Sequence, residues 1–299
     1  MSGEETEIFK SSTSNCLCGF LAVFVFTIRN HRFYKCSFCN LIFVSPRFDA
    51  SSIYNSDYFS GGTHGFGFSN YESDKIASKS YLEKYLDSLI RLPHPGPKTL
   101  IDIGAANGFF VSLADKRGFK SVGLEISAQA VEWAQKLNRP VVKGTIEAFS
   151  SEQKFGFATA LDVLEHVENP QEFLASINRV LVPGGYLLVN VPNAGSLTAK
   201  LSGKKWHAFL PPEHWFFFDR KSLQVLLESH GFKVIQVNEI SKSFSCIYVY
   251  LTIINSPQVP GFLKWALSKS GWLFRTRLGK VKIYLPLFDN LSIIAVKQH

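Results

Sequence analysis

The chain has 299 residues, 46% hydrophobic and 19% charged, with a net charge of +8 and 27 phenylalanines. That apolar content excludes long disorder and suffices for one large domain or two small ones. Five cysteines are too few for a disulfide scaffold, residues 1–10 are acidic where a secretory leader is basic, and the apolar run 19–28 is too short for a membrane span; a cytoplasmic, reducing setting is expected.

Residues 1–50 hold four of the cysteines, as Cys16-Leu17-Cys18 and Cys36-Ser37-Phe38-Cys39. Two close pairs can offer four thiolates to one tetrahedral zinc ion. Segments 20–28 and 31–34 read as strands around a turn at Arg29-Asn30, the plan of a zinc ribbon. The second pair has the usual knuckle spacing and the first is one residue shorter. Four reduced cysteines in a small β element is the other reading. Cys246 sits in an apolar run and reads as core.

Residues 51–97 begin with a stretch rich in Tyr, Ser and Gly that includes Tyr54 and Tyr58, read as a loop or lid. Ile76, Tyr81, Leu82, Tyr85, Leu86, Leu89 and Ile90 then recur at helical spacing. Ser73 or Asp74 is the expected cap, and the proline-rich 93–97 ends the helix.

In 98–240 strands and helices alternate. Strands are expected at 99–103, 121–124, 141–142, 157–161, 186–191 and 232–237, and helices at 109–117, 128–137, 170–181 and 220–230. This pattern predicts an α/β, doubly wound, mostly parallel sheet covered on both faces. Residues 241–299 read as a basic, apolar insertion before a last strand at 291–296. From 255 onward seven lysines and arginines face Asp289 alone, interleaved with Trp265, Trp272 and Phe274. Such a segment suits a membrane surface through 262–282, a nucleic acid, an anionic substrate or a solvated helix face.

The densest chemistry lies at Asp102-Ile103-Gly104-Ala105-Ala106-Asn107-Gly108. Small residues after a first strand let a ligand approach the backbone at the carboxyl edge of the sheet. The second strand ends at Glu125, placed to take the two ribose hydroxyls of a nucleoside. The G-x-x-x-G spacing with an adjacent carboxylate suits a cationic ligand better than a pyrophosphate.

In these residues, from about 99 to 232, the chain resembles the class I S-adenosylmethionine-dependent methyltransferases. Asp102-x-Gly104-x-x-x-Gly108 resembles the family's first motif and Glu125 its ribose-binding acid. Gly144-Thr145-Ile146-Glu147 is similar to the loop against the adenine. Asp162-Val163-Leu164-Glu165-His166 resembles the segment that flanks the methyl donor, and Pro183-Gly184-Gly185 the turn before strand five. The resemblance implies a Rossmann-like methyltransferase sheet with S-adenosylmethionine as cofactor. Asp102, Gly104, Ala105, Asn107, Gly108, Glu125, Ile126, Ile146, Glu147, Asp162 and Val163 would then surround the cofactor. Tyr54 and Tyr58 resemble a Tyr-x-x-x-Tyr-Phe element of zinc-ribbon methyltransferases that closes over it.

The chain lacks the Asn/Asp-Pro-Pro-aromatic run of exocyclic-amine methyltransferases after strand four, and transfer to oxygen or carbon calls for a base. His166, in Asp162-x-x-Glu165-His166, resembles part of the acid-acid-His metal cluster of some small-molecule O-methyltransferases; alternatively it packs beside the cofactor. His214, after Glu213 in the loop following strand five, resembles the acid-His pair of nucleotide-sugar C-methyltransferases; alternatively it anchors its loop. The expected activity is methyl transfer to a hydroxyl, rather than a carbon, of a small molecule such as a sugar or glycan precursor. The rivals are an RNA methyltransferase that binds through its ribbon and basic tail, and a catalytically silent binding protein.

Overall fold

The computed structural model describes residues 12–46, 71–93, 97–240, 243–245, 250, 261–269, 282–284 and 289–298. Tyr54, Tyr58 and Cys246 lie outside these residues. At the N-terminus β1 (Thr13–Asn15), β2 (Leu21–Ile28), β3 (His31–Cys36) and β4 (Ile42–Val44) form an antiparallel meander. Arg29 and Asn30 both take positive φ, 48° and 66°, the geometry of a two-residue hairpin turn matched to strand twist. Strands β1 and β4 extend the ribbon beyond the two strands expected from sequence.

Helix α1 (Tyr71–Ile90) starts upstream of the expected cap at Ser73 or Asp74. The alternating region follows as β5 (Thr99–Ile103), α2 (Phe109–Lys116), β6 (Lys120–Glu125), α3 (Ala128–Lys136), β7 (Val141–Lys143), β8 (Phe155–Leu161), α4 (Pro170–Val180) and β9 (Leu181–Pro192). Strand β9 starts five residues earlier than expected, because Leu181 already pairs with Phe155 across an irregular register and Pro183-Gly184-Gly185 lies inside the strand. Next come α5 (Leu197–Ser202), β10 (Phe216–Phe217), α6 (Arg220–Glu228), β11 (Phe232–Ile240), β12 (Ser243–Ser245), α7 (Gly261–Ser268), β13 (Lys282–Tyr284) and β14 (Asn290–Lys297).

Seven strands make the main sheet in the order β11-β14-β9-β8-β5-β6-β7. Neighbours from β9 to β7 are parallel, and β14 runs antiparallel to both β9 and β11. Alternating side chains build two cores. Leu100, Phe157, Leu188 and Ile294 face α1 and α2, whereas Ile101, Ala158, Leu187 and Ile293 share a cluster with Phe173, Leu174 and Ile177 of α4 and Leu223 of α6. Central β5 is buried along its whole length, as a parallel strand covered on both faces must be.

The ribbon is welded to this body. Strand β10, from the loop after β9, adds to β4 through Phe216↔Phe43 and Phe217↔Ile42, making a five-stranded sheet. Phe33, Tyr34 and Phe43 of the ribbon accordingly share one buried cluster with the main sheet.

Candidate active site

The strand order reverses between β5 and β8, so the loops leaving these strands diverge and open a crevice at their carboxyl ends. The loop after β5 lines it. Gly104 and Gly108 take φ of +73° and +70°, and a Cβ at Gly104 would overlap Val163 Cγ2. At Gly108 it would stand 2.7 Å from Val141 Cγ2. Only glycine fits both positions. Gly104 N and Ala105 N donate to Leu124 O at 2.9 and 3.0 Å, tying the loop to β6.

Glu125, 6% exposed at the tip of β6, accepts Ala106 N on one carboxylate oxygen and Ser127 N on the other, both at 2.8 Å. Burial raises its pKa and the amides oppose the rise. A carboxylate offers about four acceptor sites, so this one still has capacity for a pair of hydroxyls. Beside it Ile126 is 47% exposed, Ile146 is buried and Glu147 half-buried. Asp102 is buried and accepts the Thr159 hydroxyl at 2.6 Å. Asn107 turns inward, its side-chain carbonyl accepting Phe109 N at the start of α2. A glycine cradle, backbone amides and a diol-ready carboxylate fit S-adenosylmethionine.

The sequence offers Asp162, Glu165 and His166 on one helical turn; the structure keeps Glu165 beside His166 and leaves Asp162 outside their group. Asp162 sits at φ +58° and its carboxylate accepts Asn190 Nδ2. Asn190 Oδ1 in turn accepts the hydroxyls of Tyr85, at 2.6 Å, and Tyr81, at 3.3 Å, and the two tyrosines also bond each other. Burial, with Tyr81 and Asp162 nearby, pushes the Tyr85 phenol well up. The sequence reading took Tyr81 and Tyr85 only as helix positions and passed over Asn190. Their signals were a polar residue within the apolar strand Leu187-Leu188-Val189-Asn190-Val191 and two tyrosines four apart on one helix face.

His214 takes the place expected of Asp162. Ligand atoms of Glu165, His166 and His214 lie within 4.8 Å of one another, and Glu165 Oε1 is 3.8 Å from His166 Nε2. His166 Nδ1–H donates to Glu213 O at 2.9 Å, and His214 Nδ1–H to Ala208 O at 2.8 Å. A carbonyl only accepts, so the protons are on Nδ1 and each Nε2 carries the lone pair. Burial lowers both pKa values, and with the His166 ring adjacent His214 falls to about 3. Both rings are neutral near pH 7. Glu213 holds His166 through its backbone carbonyl, and its carboxylate favours the protonated ring.

The four cysteines converge in the ribbon. Cys16 Sγ and Cys39 Sγ are 3.5 Å apart, Cys18 Sγ and Cys36 Sγ 3.6 Å, and all four lie within 4.8 Å. Zn–S bonds of about 2.3 Å set tetrahedral S···S edges near 3.8 Å, whereas a disulfide needs about 2.05 Å. Gly19 and Asn40, each just after a pair, take positive φ. Gly19 N closes the shorter knuckle on Cys16 O, and Asn40 N the longer one on Cys36 O, both at 3.0 Å. The missing residue in Cys16-x-Cys18 is absorbed by a tighter turn. The hydrogen bond between Cys16 and Cys39 lowers Cys39 to about 5 and raises Cys16, and burial raises Cys18. The donor set fits zinc.

Of the basic segment 262–282, helix α7 is described; it exposes Phe262 (75%) and Trp265 (64%), with Lys269 Nζ 3.8 Å above the Trp265 ring. Among the described residues no helix is long and apolar enough to cross a membrane.

A family model described as a methyltransferase domain matches residues 78–237. The mitochondrial ubiquinone biosynthesis O-methyltransferase of Dictyostelium discoideum is 27% identical over 180 residues, covering 52% of this chain and 56% of that one. Its Schizosaccharomyces pombe namesake is 29% identical over 102 residues, 31% and 37% of the two chains. The chain thus spans about half or less of the length of these curated relatives. Among solved structures, the complex of the Haloferax volcanii Trm112 methyltransferase activator with a methyltransferase matches with a TM-score of 0.51 at 14% identity, covering 76% of this chain and 95% of that one. This likeness concerns the fold.

Proposed function

The chain belongs to the methyltransferase-domain family, and on that premise we propose that it moves the methyl group of S-adenosylmethionine to a hydroxyl of a small molecule. The observation that carries this reading is a half-buried, neutral His214 whose Nδ1–H is fixed on Ala208 O, leaving Nε2 as the proton acceptor. The relatives named for ubiquinone biosynthesis favour a phenolic acceptor; the sugar or glycan precursor expected from sequence is the alternative.

When bound, S-adenosylmethionine supplies a methyl group on a positively charged sulfonium leaving group. The loop at Gly104–Gly108 would hold its amino-acid end, Glu125 would take the ribose hydroxyls, and Ile126 and Ile146 would border the adenine. Asp162, held by Asn190, which Tyr85 holds in turn, sets a carboxylate at the edge of the crevice, where positive charge is favoured. The acceptor enters on the side of His166 and His214. His214 Nε2 would take the hydroxyl proton as the acceptor oxygen receives the methyl group, with Nδ1–H kept on Ala208 O. A pKa near 3 does not prevent this, because a hydroxyl oxygen bonded to a third carbon or proton is a far stronger acid than imidazolium. Glu165 and His166 hold the second wall of the acceptor side.

Incubation with methyl-labelled S-adenosylmethionine and a panel of phenols, catechols and sugars, analysed by mass spectrometry, tests this reading. A labelled methyl ether supports it, and label found only on carbon or nitrogen, or on no acceptor, overturns it.

A further inference from the structure

The ribbon reaches the acceptor wall through three independent routes. The first knuckle gives Leu17 O to Gln171 Nε2 at 3.0 Å, near the start of α4 and five residues beyond His166. The second gives Asn40 Nδ2 to Asp219 Oδ2 at 3.1 Å, and Asp219 is the N-cap of α6, five residues beyond His214. Between them β4 takes β10 as its neighbour, with Val44 N donating to Trp215 O at 2.9 Å. Trp215 N itself donates to Glu165 O at 2.9 Å, so one peptide unit away the ladder reaches the histidine cluster.

Aromatic packing follows the same line. Phe33 of β3 lies 5.2 Å from Phe209 and 5.4 Å from Phe217, ring centre to ring centre, and Phe217 stands 6.3 Å from the His214 ring. The segment 206–217 closes turns on itself, Phe209 N on Trp206 O and His214 N on Leu210 O, both at 3.0 Å, and joins a sheet only through β10. These turns fix its local shape, and its placement runs through the ribbon at β4 and through Glu165 O. The glycine loop and Glu125, in contrast, are held by β5, β6 and α2, on the far side of β8.

We propose that the four-cysteine ribbon is a positioning device for the acceptor half of the site: its two knuckles, closed by zinc, hold α4 and the 206–217 loop so that His166 and His214 face the acceptor, without taking part in cofactor binding. This inference rests on the methyl-transfer reading for its kinetic consequence and not for its structural one. Cys16, Cys18, Cys36 and Cys39 are thus positioning residues for His214, as are Asn40 and Gln171.

The test uses the full chain carrying Asn40→Gly with Gln171→Ala, which cuts both knuckle ties, keeps all four cysteines and leaves the positive φ at position 40 to a glycine. Zinc is released with a thiol reagent and counted with a chromogenic chelator, S-adenosylmethionine affinity is measured by calorimetry, and backbone deuterium exchange is followed over 206–217. The expected result is one zinc per chain, cofactor affinity within about twofold of the parent, and markedly faster exchange over 206–217. Misplacement by about an ångström makes turnover fall by about tenfold to 10²-fold, with the acceptor KM raised and the cofactor KM held. Reversible zinc removal from the parent chain reproduces the same exchange pattern. Unchanged exchange over 206–217, a parent chain without zinc, or cofactor affinity lost in step with turnover overturns the proposal. A parent chain with no methyl transfer to any hydroxyl sinks the proposed function, whereas the exchange result still decides this one.

Discussion

His166 and His214 stand edge to face with ring centroids 4.6 Å apart, each giving its Nδ1–H to a backbone carbonyl, Glu213 O and Ala208 O respectively. Two imidazoles in that arrangement disfavour each other's protonation, which adds to the effect of burial. The pair is thereby kept neutral and oriented, with both lone pairs on Nε2.

Acid should destabilise the protein through this pair. The folded pKa of His214 is about 3 against an ordinary value of 6.5, so between these values the unfolded chain binds the extra proton. Stability is full above pH 6.5 and falls as the pH drops towards 3, by up to about 1.4 kcal/mol per pH unit for one such group. Urea denaturation at a series of pH values checks this. His214→Gln flattens the slope between pH 6.5 and 4; an unchanged slope contradicts the burial of a neutral ring.

Glu213 and His214 are neighbours in sequence with different jobs. Because His166 is held by the backbone carbonyl of Glu213, Glu213→Gln should retain near-parental turnover. His214→Gln should lower kcat by about 10²–10⁴-fold, the usual range for loss of a general base, with cofactor affinity kept. Steady-state kinetics on both variants separate the two residues; equal losses would mean the carboxylate itself is used.

Gly104→Ala should abolish cofactor binding and weaken the fold together. Its Cβ would overlap Val163 Cγ2, and its φ of +73° costs an alanine about 1–2 kcal/mol. Calorimetry with S-adenosylmethionine and a thermal melt read the two effects; full affinity in the variant would remove the loop from the cofactor site.

The polar chain from Asp162 through Asn190 to Tyr85 carries a stability signature. Asn190→Ala takes the amide acceptor from both phenols and the donor from the Asp162 carboxylate, and should cost about 1–3 kcal/mol. Tyr85→Phe removes one donor while Tyr81 still reaches Asn190, and should cost about 1 kcal/mol. Chemical denaturation ranks the two, and a Tyr85→Phe loss exceeding that of Asn190→Ala contradicts the order of the chain.

How much of this was legible in the sequence follows from what local chemistry dictates. The parallel sheet was legible because apolar runs alternated with helix-period segments, and the Gly104–Gly108 turn and Glu125 because their roles are set by immediate neighbours. The cysteine pairs were legible by spacing. Their docking was not, because β10 is two residues long and pairs with β4 across 173 positions of chain, from Phe43 to Phe216. The grouping of Glu165 and His166 with His214 in place of Asp162 was also hidden. It needs the loop after β9 to bring His214 back to His166 across 48 positions of chain, a return that no local pattern announces. Asn190 in β9 showed itself only as a polar residue in an apolar strand.

The most direct test of the account compares two phenols of different acidity in the parent chain and in His214→Gln. One is a simple catechol, protonated at pH 7; the other is a nitro-substituted catechol that has already lost its proton. If His214 takes the acceptor's proton, the variant loses about 10²-fold or more on the protonated catechol. The ionised one, needing no base, is then methylated at close to the parental rate. A loss of equal size on both acceptors would contradict the account and leave His214 as the anchor of its loop.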